Sequence, residues 1–230
     1  MPACELVIFD CDGTIMDTEL IAAECEVEAL AAYGAKLSAQ EFTRRFAGTA
    51  SEFVKETMEE ELGRRLPDDH INTVKSQMKQ RLWREAKPIS GAHELLDALD
   101  QPRCICSNAD MEKLKIELTR GELWDRFRPY VFSAHEIESK RRKPEPDVFL
   151  HAAREFGVAP STCVVVEDST AGILAGVAAG MRVIGFTGGS HTHIGHADLL
   201  TEAGAETVVH RLLDIPAVIE ALETWDGLVA

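Results

Sequence analysis

The stretch Leu6-Val7-Ile8-Phe9-Asp10-Cys11-Asp12-Gly13-Thr14 decides the fold, because an apolar run ends there at two carboxylates one residue apart. Four consecutive apolar residues are typical of a strand covered on both faces, as in a parallel sheet with helices above and below. Gly13 permits a tight turn directly after the strand. The pattern therefore places Asp10 and Asp12 at the carboxyl end of a buried strand, the edge where open α/β sheets bind ligands.

The same segment is also compatible with a polar turn that only terminates a strand, because Asp and Gly are ordinary turn residues. Two carboxylates this close repel one another unless a cation lies between them or one of them takes up a proton. Either arrangement is chemically useful. The choice between a turn and a reactive site depends on what the rest of the chain brings to the same edge.

Length, composition and net charge limit the classes of protein to which this chain can belong. The chain has 230 residues, 45% of them hydrophobic, and a net charge of −15, which suits one large domain or a domain carrying an insertion. We find no run of eighteen apolar residues and no basic segment followed by an apolar one at the amino terminus, so we expect no membrane partner and a cytoplasmic location. The acidic balance argues against a nucleic-acid partner.

The six cysteines are predicted to be buried thiols in a reducing compartment. Cys104 and Cys106 have the spacing C-x-C, which is found in metal sites. No second Cys or His pair at a zinc-ligand spacing accompanies them, so zinc is not favoured.

Residues 17–87 are predicted to form an all-helical unit inserted straight after the first strand. The β pattern is lost there in favour of helical, Ala- and Glu-rich sequence, and Ser38 precedes Glu41 at the capping-box spacing. A block of this size is compatible with a small domain of its own. The core domain would then comprise residues 1–16 and 88–230.

After Pro88 the chain alternates between helices and short apolar strands. This alternation predicts parallel strands joined by crossover helices. The predicted strands lie at residues 103–106, 130–132, 162–166 and 182–186, with a final weak strand-helix pair within 207–222.

Polar residues follow several of these strands. Ser107-Asn108 ends the second strand, Glu167-Asp168 follows Val166, and the basic run Lys140-Arg141-Arg142-Lys143 precedes a helix. If the strands are parallel, these ends lie on the same edge as the first two carboxylates. Asn108 could equally cap the next helix, and the basic run could be a solvated patch; we expect Lys143 to point inward and the other three basic residues to lie at the surface.

This set of residues resembles the haloacid dehalogenase-like superfamily, specifically its subfamily I with a helical cap and the phosphatase/β-phosphoglucomutase-like branch. The four signatures of that superfamily are Asp-x-Asp-x-Thr, a Ser or Thr ending the second strand, a downstream Lys and a later acidic pair. Here they are Asp10-Cys11-Asp12-Gly13-Thr14, Ser107, Lys143 and Glu167-Asp168. The resemblance spans the whole chain and implies an α/β fold, with a Rossmann-like parallel sheet core and an inserted all-helical cap domain.

The resemblance implies catalytic roles for four residues. Asp10 would attack phosphorus and form an aspartyl-phosphate, which divides a difficult hydrolysis into two steps. Asp12 would protonate the leaving oxygen and then activate water. Ser107 would donate a hydrogen bond to a phosphoryl oxygen, and Lys143 would neutralise charge there.

The resemblance also implies Mg²⁺ as cofactor. Its ligands would be the Asp10 carboxylate, the Asp12 main-chain carbonyl and Asp168, with Glu167 either as a ligand or just behind the ligands. All are oxygen donors, which this ion prefers.

The substrate is expected to be a small phosphorylated metabolite, a sugar phosphate or sugar-acid phosphate. The segment around Gly48 resembles the substrate-facing cap loop of this branch, so Gly48, Arg45 and Asn108 are candidate substrate-binding residues. Lys55 is an alternative to Arg45 as the anion-binding residue, although both suit a surface role equally well. We expect a monomer or a weak homodimer.

Two other functions stay open. A β-phosphoglucomutase-like phosphosugar mutase shares the cap position and the acidic pair, but such mutases carry a cap His where Ala22 stands here. A non-catalytic or receiver-like phosphoacceptor module also has an aspartyl-phosphate site, but receivers are shorter and lack a cap. Dehalogenation is disfavoured, because displacing halide requires neither a second carboxylate nor Mg²⁺ ligands.

A glycine-rich segment, residues 188–196, contains three histidines: His191, His193 and His196. Imidazoles near a strand end could bind a transition metal. The glycines favour a flexible loop, and on that interpretation the segment lies outside the site.

Overall fold

The computed structural model describes residues 3–46, 49 and 51–224. Six parallel strands form a single sheet in the order β3-β2-β1-β4-β5-β6. The strands are β1 (Leu6–Phe9), β2 (Arg103–Ser107), β3 (Val131–Ser133), β4 (Cys163–Glu167), β5 (Arg182–Phe186) and β6 (Thr207–Val209).

Eleven helices are found in the described residues. They are α1 (Glu19–Ala31), α2 (Ala39–Phe46), α3 (Ser51–Leu62), α4 (His70–Glu85), α5 (Ala92–Ala98), α6 (Met111–Arg120), α7 (Trp124–Phe127), α8 (Asp147–Phe156), α9 (Thr170–Ala178), α10 (His196–Glu202) and α11 (Ile215–Thr224). The described residues also contain two short 3₁₀ turns, Pro160–Thr162 and Leu212–Asp214. The predicted α/β class with parallel strands is confirmed.

β1 lies at the centre of the sheet, with all four of its residues fully buried. Its alternate side chains enter two separate apolar clusters, Val7 and Phe9 on one face and Leu6 and Ile8 on the other, as the period of two in a strand requires. β2 pairs with one side of β1 and β4 with the other. The strand order therefore reverses at β1, and the crevice at the carboxyl end of β1 is where such sheets bind ligands.

Four helices, α1 to α4, lie between β1 and α5. Residues of α1, α2 and α3 form a third apolar cluster that includes Leu30, Phe42 and Met58. Leu82 of α4 belongs instead to the cluster beneath the sheet, and an ion pair of 2.5 Å joins Lys79 of α4 to Glu112 of α6. The helical segment thus has an apolar centre of its own and contacts the sheet domain through α4.

The predicted strand at residues 182–186 is confirmed with its boundaries, and Ser38 Oγ accepts a hydrogen bond from the amide of Glu41 as the capping box requires. α7 and α10 were not predicted. α10 begins at His196, inside the segment that was expected to be a flexible loop. Gly195 supplies the left-handed turn (φ 85°) that starts this helix.

All six cysteines lie in the described ranges and are free thiols, five of them buried and Cys4 half-buried. Burial raises the pKa of the Cys163 thiol to about 12. Within the described part of the chain, every helix is too short or too polar to cross a membrane.

Candidate active site

The carboxyl ends of β1, β2 and β4 meet around a cavity of about 180 Å³. It is lined by six of the residues selected from the sequence: Asp10, Asp12, Ser107, Lys143, Glu167 and Asp168. Asn108 lines it as well, together with Glu19 of α1 and Arg44 of α2. The four signatures, spread over more than 150 residues of sequence, are therefore brought together at one edge of the sheet.

The turn after β1 places its two carboxylates differently. The Asp10 amide still donates to the Val166 carbonyl of β4 (3.0 Å), so Asp10 continues the sheet. Gly13 then adopts a left-handed φ of 76°, and a Cβ at this position would lie 2.1 Å from Oδ2 of Asp168. Only glycine fits there, because any side chain would displace the carboxylate that closes the cavity.

Lys143 is the cation at the base of the cavity, with 5% of its surface exposed. Its Nζ donates to Oδ1 of Asp10 (2.5 Å), to Oε1 of Glu167 (2.7 Å) and to the carbonyl of Cys106 (2.7 Å). Burial acts to lower the pKa of this ammonium, but the two carboxylates outweigh it and hold the pKa above its usual range. Lys143 therefore stays charged.

Asn108 holds the main chain of Lys143 from both sides. Its Oδ1 accepts from the Lys143 amide (2.9 Å), and its Nδ2 donates to the Lys143 carbonyl (3.2 Å). The alternative helix-capping role belongs to Asp110, whose side chain accepts from the amide of Lys113. Asn108 thus fixes the main chain of Lys143, while also facing the cavity.

Asp10, Glu167 and Asp168 form a buried group of carboxylates, and one oxygen from each lies within 4.8 Å of the other two. Oε2 of Glu167 accepts from the amide and hydroxyl of Ser169 (2.9 Å each). Burial, and then the neighbouring Glu167 and Asp168, hold the pKa of Asp10 well above its usual range despite Lys143. Three carboxylates face one ammonium, so the cluster has an excess of negative charge that an oxygen-preferring divalent cation would neutralise.

Asp12 belongs to a second charged cluster. Its Oδ1 accepts from the hydroxyl of Thr18 (2.5 Å) and from the ammonium of Lys113, which also lies 3.4 Å from Oε2 of Glu117. Burial would raise the pKa of Asp12, but Lys113 and the hydrogen bonds outweigh burial and lower it. In contrast, burial and the charge of Asp12 raise the pKa of Glu117 to about 8.

Lys113 and Glu117 were missed by sequence reasoning. Both are buried, although they sit in a helix with charged residues on several faces. The available signal was their i, i+4 spacing beside Leu114 and Leu118, which places two charges on the apolar face of α6 directly after Ser107-Asn108.

The expectation that the histidine segment lies outside the site is wrong. Nε2 of His191 lies 2.9 Å from Oδ2 of Asp168, and Nε2 of His196 lies 2.8 Å from the carbonyl of Asp168. All three histidines line the cavity. Burial would lower the pKa of His191, but the hydrogen bond to Asp168 outweighs it and raises the pKa to about 9. The missed signal was position, since the segment follows the carboxyl end of β5 on the same edge.

The candidate substrate residues of the helical segment are placed away from the site or are not described. Arg45 is exposed, pairs with Glu61 and stacks on Phe46 (4.7 Å), and Lys55 pairs with Glu59 (2.5 Å). Gly48 lies outside the described residues. Neither Arg45 nor Lys55 lines the cavity.

A second cavity, of about 310 Å³, lies between the helical segment and the sheet domain. Asp12, Glu19 and Asn108 line both cavities. Burial, then Asp12 and Asp168, raise the pKa of the Glu19 carboxyl to about 7. Arg142 lines the second cavity and is half-buried, which corrects the expectation of a surface position; its Nε has no hydrogen-bond partner among the described residues.

The fold is a parallel α/β sheet, and one edge of it carries an Asp-x-Asp turn, a buried lysine and an acidic pair. These features define a class of enzyme with a carboxylate-centred site. The chain belongs to the haloacid dehalogenase-like hydrolase family, whose model matches residues 7–186. The predicted family is confirmed.

Among curated proteins, the chain is 32% identical over 192 residues to 6-phosphogluconate phosphatase of Escherichia coli, covering 83% of this chain and 86% of that protein. Among solved structures, it resembles a conserved haloacid dehalogenase-like protein of unknown function from Agrobacterium tumefaciens, with 46% identity and a TM-score of 0.90 over 95% of this chain and 99% of that one. A family hydrolase from Deinococcus radiodurans, with bound phosphate and sodium, has 27% identity and a TM-score of 0.81 over 95% and 96%.

Proposed function

We propose that the protein is a Mg²⁺-dependent phosphatase that hydrolyses a small phosphate monoester through an aspartyl-phosphate. The observation that carries this proposal is the environment of Asp10. Lys143 binds its Oδ1, while Oδ2 accepts no hydrogen bond from the described residues. One oxygen is thus held in place and the other is available for attack on phosphorus.

Two further groups are placed to bind the phosphoryl group. Ser107 Oγ accepts a hydrogen bond from the amide of Ala109 (3.0 Å), which leaves the hydroxyl hydrogen to donate to a phosphoryl oxygen. The Lys143 ammonium opposes the charge that develops on the same group. Because both side chains are buried, these interactions are stronger than they would be in water.

Asp12 is the proton-transfer residue in this proposal. Thr18 and Lys113 hold it at Oδ1, beside both cavities. It protonates the leaving oxygen in the first step and accepts a proton from the attacking water in the second. The first step leaves Asp12 as the carboxylate that the second step requires, a form favoured by its lowered pKa. The proton that Asp12 takes from water in the second step restores the acid that the next first step requires.

The residues present fit a divalent metal ion, because Asp10, Glu167 and Asp168 offer buried carboxylate oxygens in excess of the neighbouring ammonium. Asp10 and Asp168 would be side-chain ligands, with the main-chain carbonyl of Asp12. Both oxygens of Glu167 already accept hydrogen bonds, which favours a supporting position. Bound Mg²⁺ would supply charge neutralisation on the phosphoryl oxygens.

We further propose that residues 17–87 act as a cap over the sheet domain, and that the second cavity holds the leaving group. That cavity carries carboxyl groups, such as Glu19 and Glu26, beside cations, such as Arg142 and Lys75. Such a lining suits a polyhydroxylated compound, because carboxylates accept hydrogen bonds from hydroxyls. The similarity to 6-phosphogluconate phosphatase supports a sugar phosphate or sugar-acid phosphate.

The phosphosugar mutase is disfavoured by one position. Ala22, which stands where such mutases are expected to carry a histidine, lines the second cavity. A methyl group cannot exchange a proton with a substrate hydroxyl. The protein's cytoplasmic location and its state as a monomer or weak homodimer stay predictions.

A panel of phosphate monoesters tests the proposal, with release of inorganic phosphate measured in the presence and absence of Mg²⁺. Wild type should hydrolyse at least one sugar phosphate or sugar-acid phosphate, and Asp10→Asn should not. Hydrolysis that survives in Asp10→Asn would exclude Asp10 as nucleophile. Interconversion of β-glucose phosphates without phosphate release would identify a mutase instead.

A further inference from the structure

We propose that His191 is a positioning residue, which fixes the carboxylate of Asp168 for metal binding and thereby sets the affinity of the protein for a divalent cation. The inference rests on the proposed function in that it takes Asp168 as a metal ligand. It concerns a residue from outside the four signatures.

The contact itself is short and buried. Nε2 of His191 lies 2.9 Å from Oδ2 of Asp168, and the two residues are 6% and 4% exposed. The other oxygen, Oδ1, accepts from the hydroxyl of Thr14 (2.9 Å). With one donor on each oxygen the carboxylate cannot rotate, while each oxygen keeps lone-pair capacity for a cation.

The chain makes room for the imidazole at two glycines. A Cβ on Gly13 would lie 2.7 Å from Cε1 of His191, and a Cβ on Gly189 would lie 2.7 Å from both Cε1 and Nδ1. Distances below 3 Å would force the ring to move. The ring therefore occupies a slot that only glycine at both positions leaves open.

His196 supports the same residue through the main chain. Its Nε2 lies 2.8 Å from the carbonyl of Asp168, where it must donate, and its ring makes an edge contact with His191 (5.5 Å between centroids). One histidine thus holds the backbone of Asp168 and the other holds the side chain. Nδ1 of His191 has no hydrogen-bond partner among the described residues, so among them the ring's polar contact is the one that Nε2 makes with Asp168.

The donor role requires only a hydrogen on Nε2, which the neutral ring also carries in one tautomer. His191 therefore acts by orienting the carboxylate of Asp168. Hydrogen bonds to metal-binding carboxylates typically change metal affinity or activity by about 10- to 100-fold when removed.

Calorimetric titration of chelator-treated protein with MgCl₂ tests the inference without turnover. His191→Leu should weaken binding at least about tenfold, while His191→Gln, whose amide can replace Nε2–H, should recover much of the affinity. His191→Asn is too short to reach Asp168 and should behave like Leu, so it replaces the Leu variant if that protein does not fold. Ile194→Gln, fully exposed in the same segment, is the matched control and should bind as wild type does.

The outcomes separate the inference from the proposed function. Equal affinity in wild type, His191→Leu and His191→Asn, with binding lost in Asp168→Asn, overturns the inference and leaves the metal site intact. No binding of Mg²⁺ by wild type itself removes the metal from the proposed function and overturns the inference with it. Activity measured at saturating Mg²⁺ should return towards wild type in His191→Leu, because the variant's defect is in affinity.

Discussion

Replacing Lys113 with Met tests whether the second charged cluster orients the proton-transfer residue. Lys113 is 8% exposed and contacts both Asp12 and Glu117. Met retains most of the aliphatic stem, so the change removes the charge with little loss of volume. Breaking a buried ion pair on one side typically costs about 3–5 kcal/mol, because the partner charge is left without compensation.

The structure places the expected cost at the lower end of that range. Glu117 can stay protonated in the variant, since its pKa is already raised to about 8 by burial and Asp12, and Thr18 still donates to Asp12. We therefore expect the free energy of unfolding to fall by about 3 kcal/mol, measured by urea denaturation. Typical domains have stabilities of about 5–15 kcal/mol, so the variant should remain folded.

The catalytic effect should appear in kcat. Without Lys113 the carboxylate of Asp12 loses one of its two positioning contacts at Oδ1, and we expect kcat to fall about 100-fold, the lower limit for a proton-transfer residue. KM should change less than kcat, because the residues proposed to bind the phosphoryl group are untouched. Burial raises the pKa of Asp12, and without Lys113 only the remaining hydrogen bonds would lower it. The pKa of Asp12 should therefore rise, which moves the acidic limb of the pH–rate profile to higher pH.

Lys115→Met is the matched control for this experiment. Lys115 lies two residues along α6 on an exposed face, beside the ring of Trp124 (5.9 Å), and its replacement should change neither quantity much. The reasoning is refuted if Lys113→Met keeps the wild-type kcat and pH profile. A loss of stability alone would show that Lys113 only neutralises buried charge.

Three further predictions follow from particular contacts. The folded-state pKa of Glu117 is raised to about 8, so the contribution of Glu117 to stability is full below about pH 4.5 and is lost as pH rises to 8. Glu117→Gln should therefore flatten the decline in the urea midpoint between these pH values. An unchanged decline would mean that other groups cause it. Gly172→Ala should lower the melting temperature and abolish activity, since the new Cβ would lie 1.8 Å from the Glu167 carboxyl; wild-type melting would show that the carboxyl moves freely. Arg142→Gln should raise KM for sugar-acid phosphates more than for neutral sugar phosphates, while the exposed, ion-paired Arg141→Gln should not.

The fold was largely predictable because its signals are local. The strands are recognisable in the sequence as apolar runs followed by a polar residue, and this pattern is lost in the helical block after Thr18. Parallel pairing then follows from alternation. α7, with four residues, was missed because a single turn has too few residues for a periodic pattern.

The two central carboxylates were predictable as a pair, but not as unequal partners. Asp10 and Asp12 have the same intrinsic pKa, and the difference between their pKa values in the folded chain depends on the charged groups around each carboxyl. Lys143 and two further carboxylates surround Asp10, whereas Lys113 and Thr18 hold Asp12. The distant residues in these contacts come from other parts of the chain, and only folding brings them within a few ångströms.

The sequence by itself determined the sheet, its reactive edge and the residues of the four signatures, because strand direction places every carboxyl end on one side. Tertiary structure alone decided what surrounds each of them. It turned Arg45 towards Glu61 and away from the cavity. It also brought His191, which follows β5, to the carboxylate of Asp168, which follows the neighbouring strand β4. Electrostatic and hydrogen-bond energies depend on distances of a few ångströms, and such distances between remote residues exist only in the folded chain.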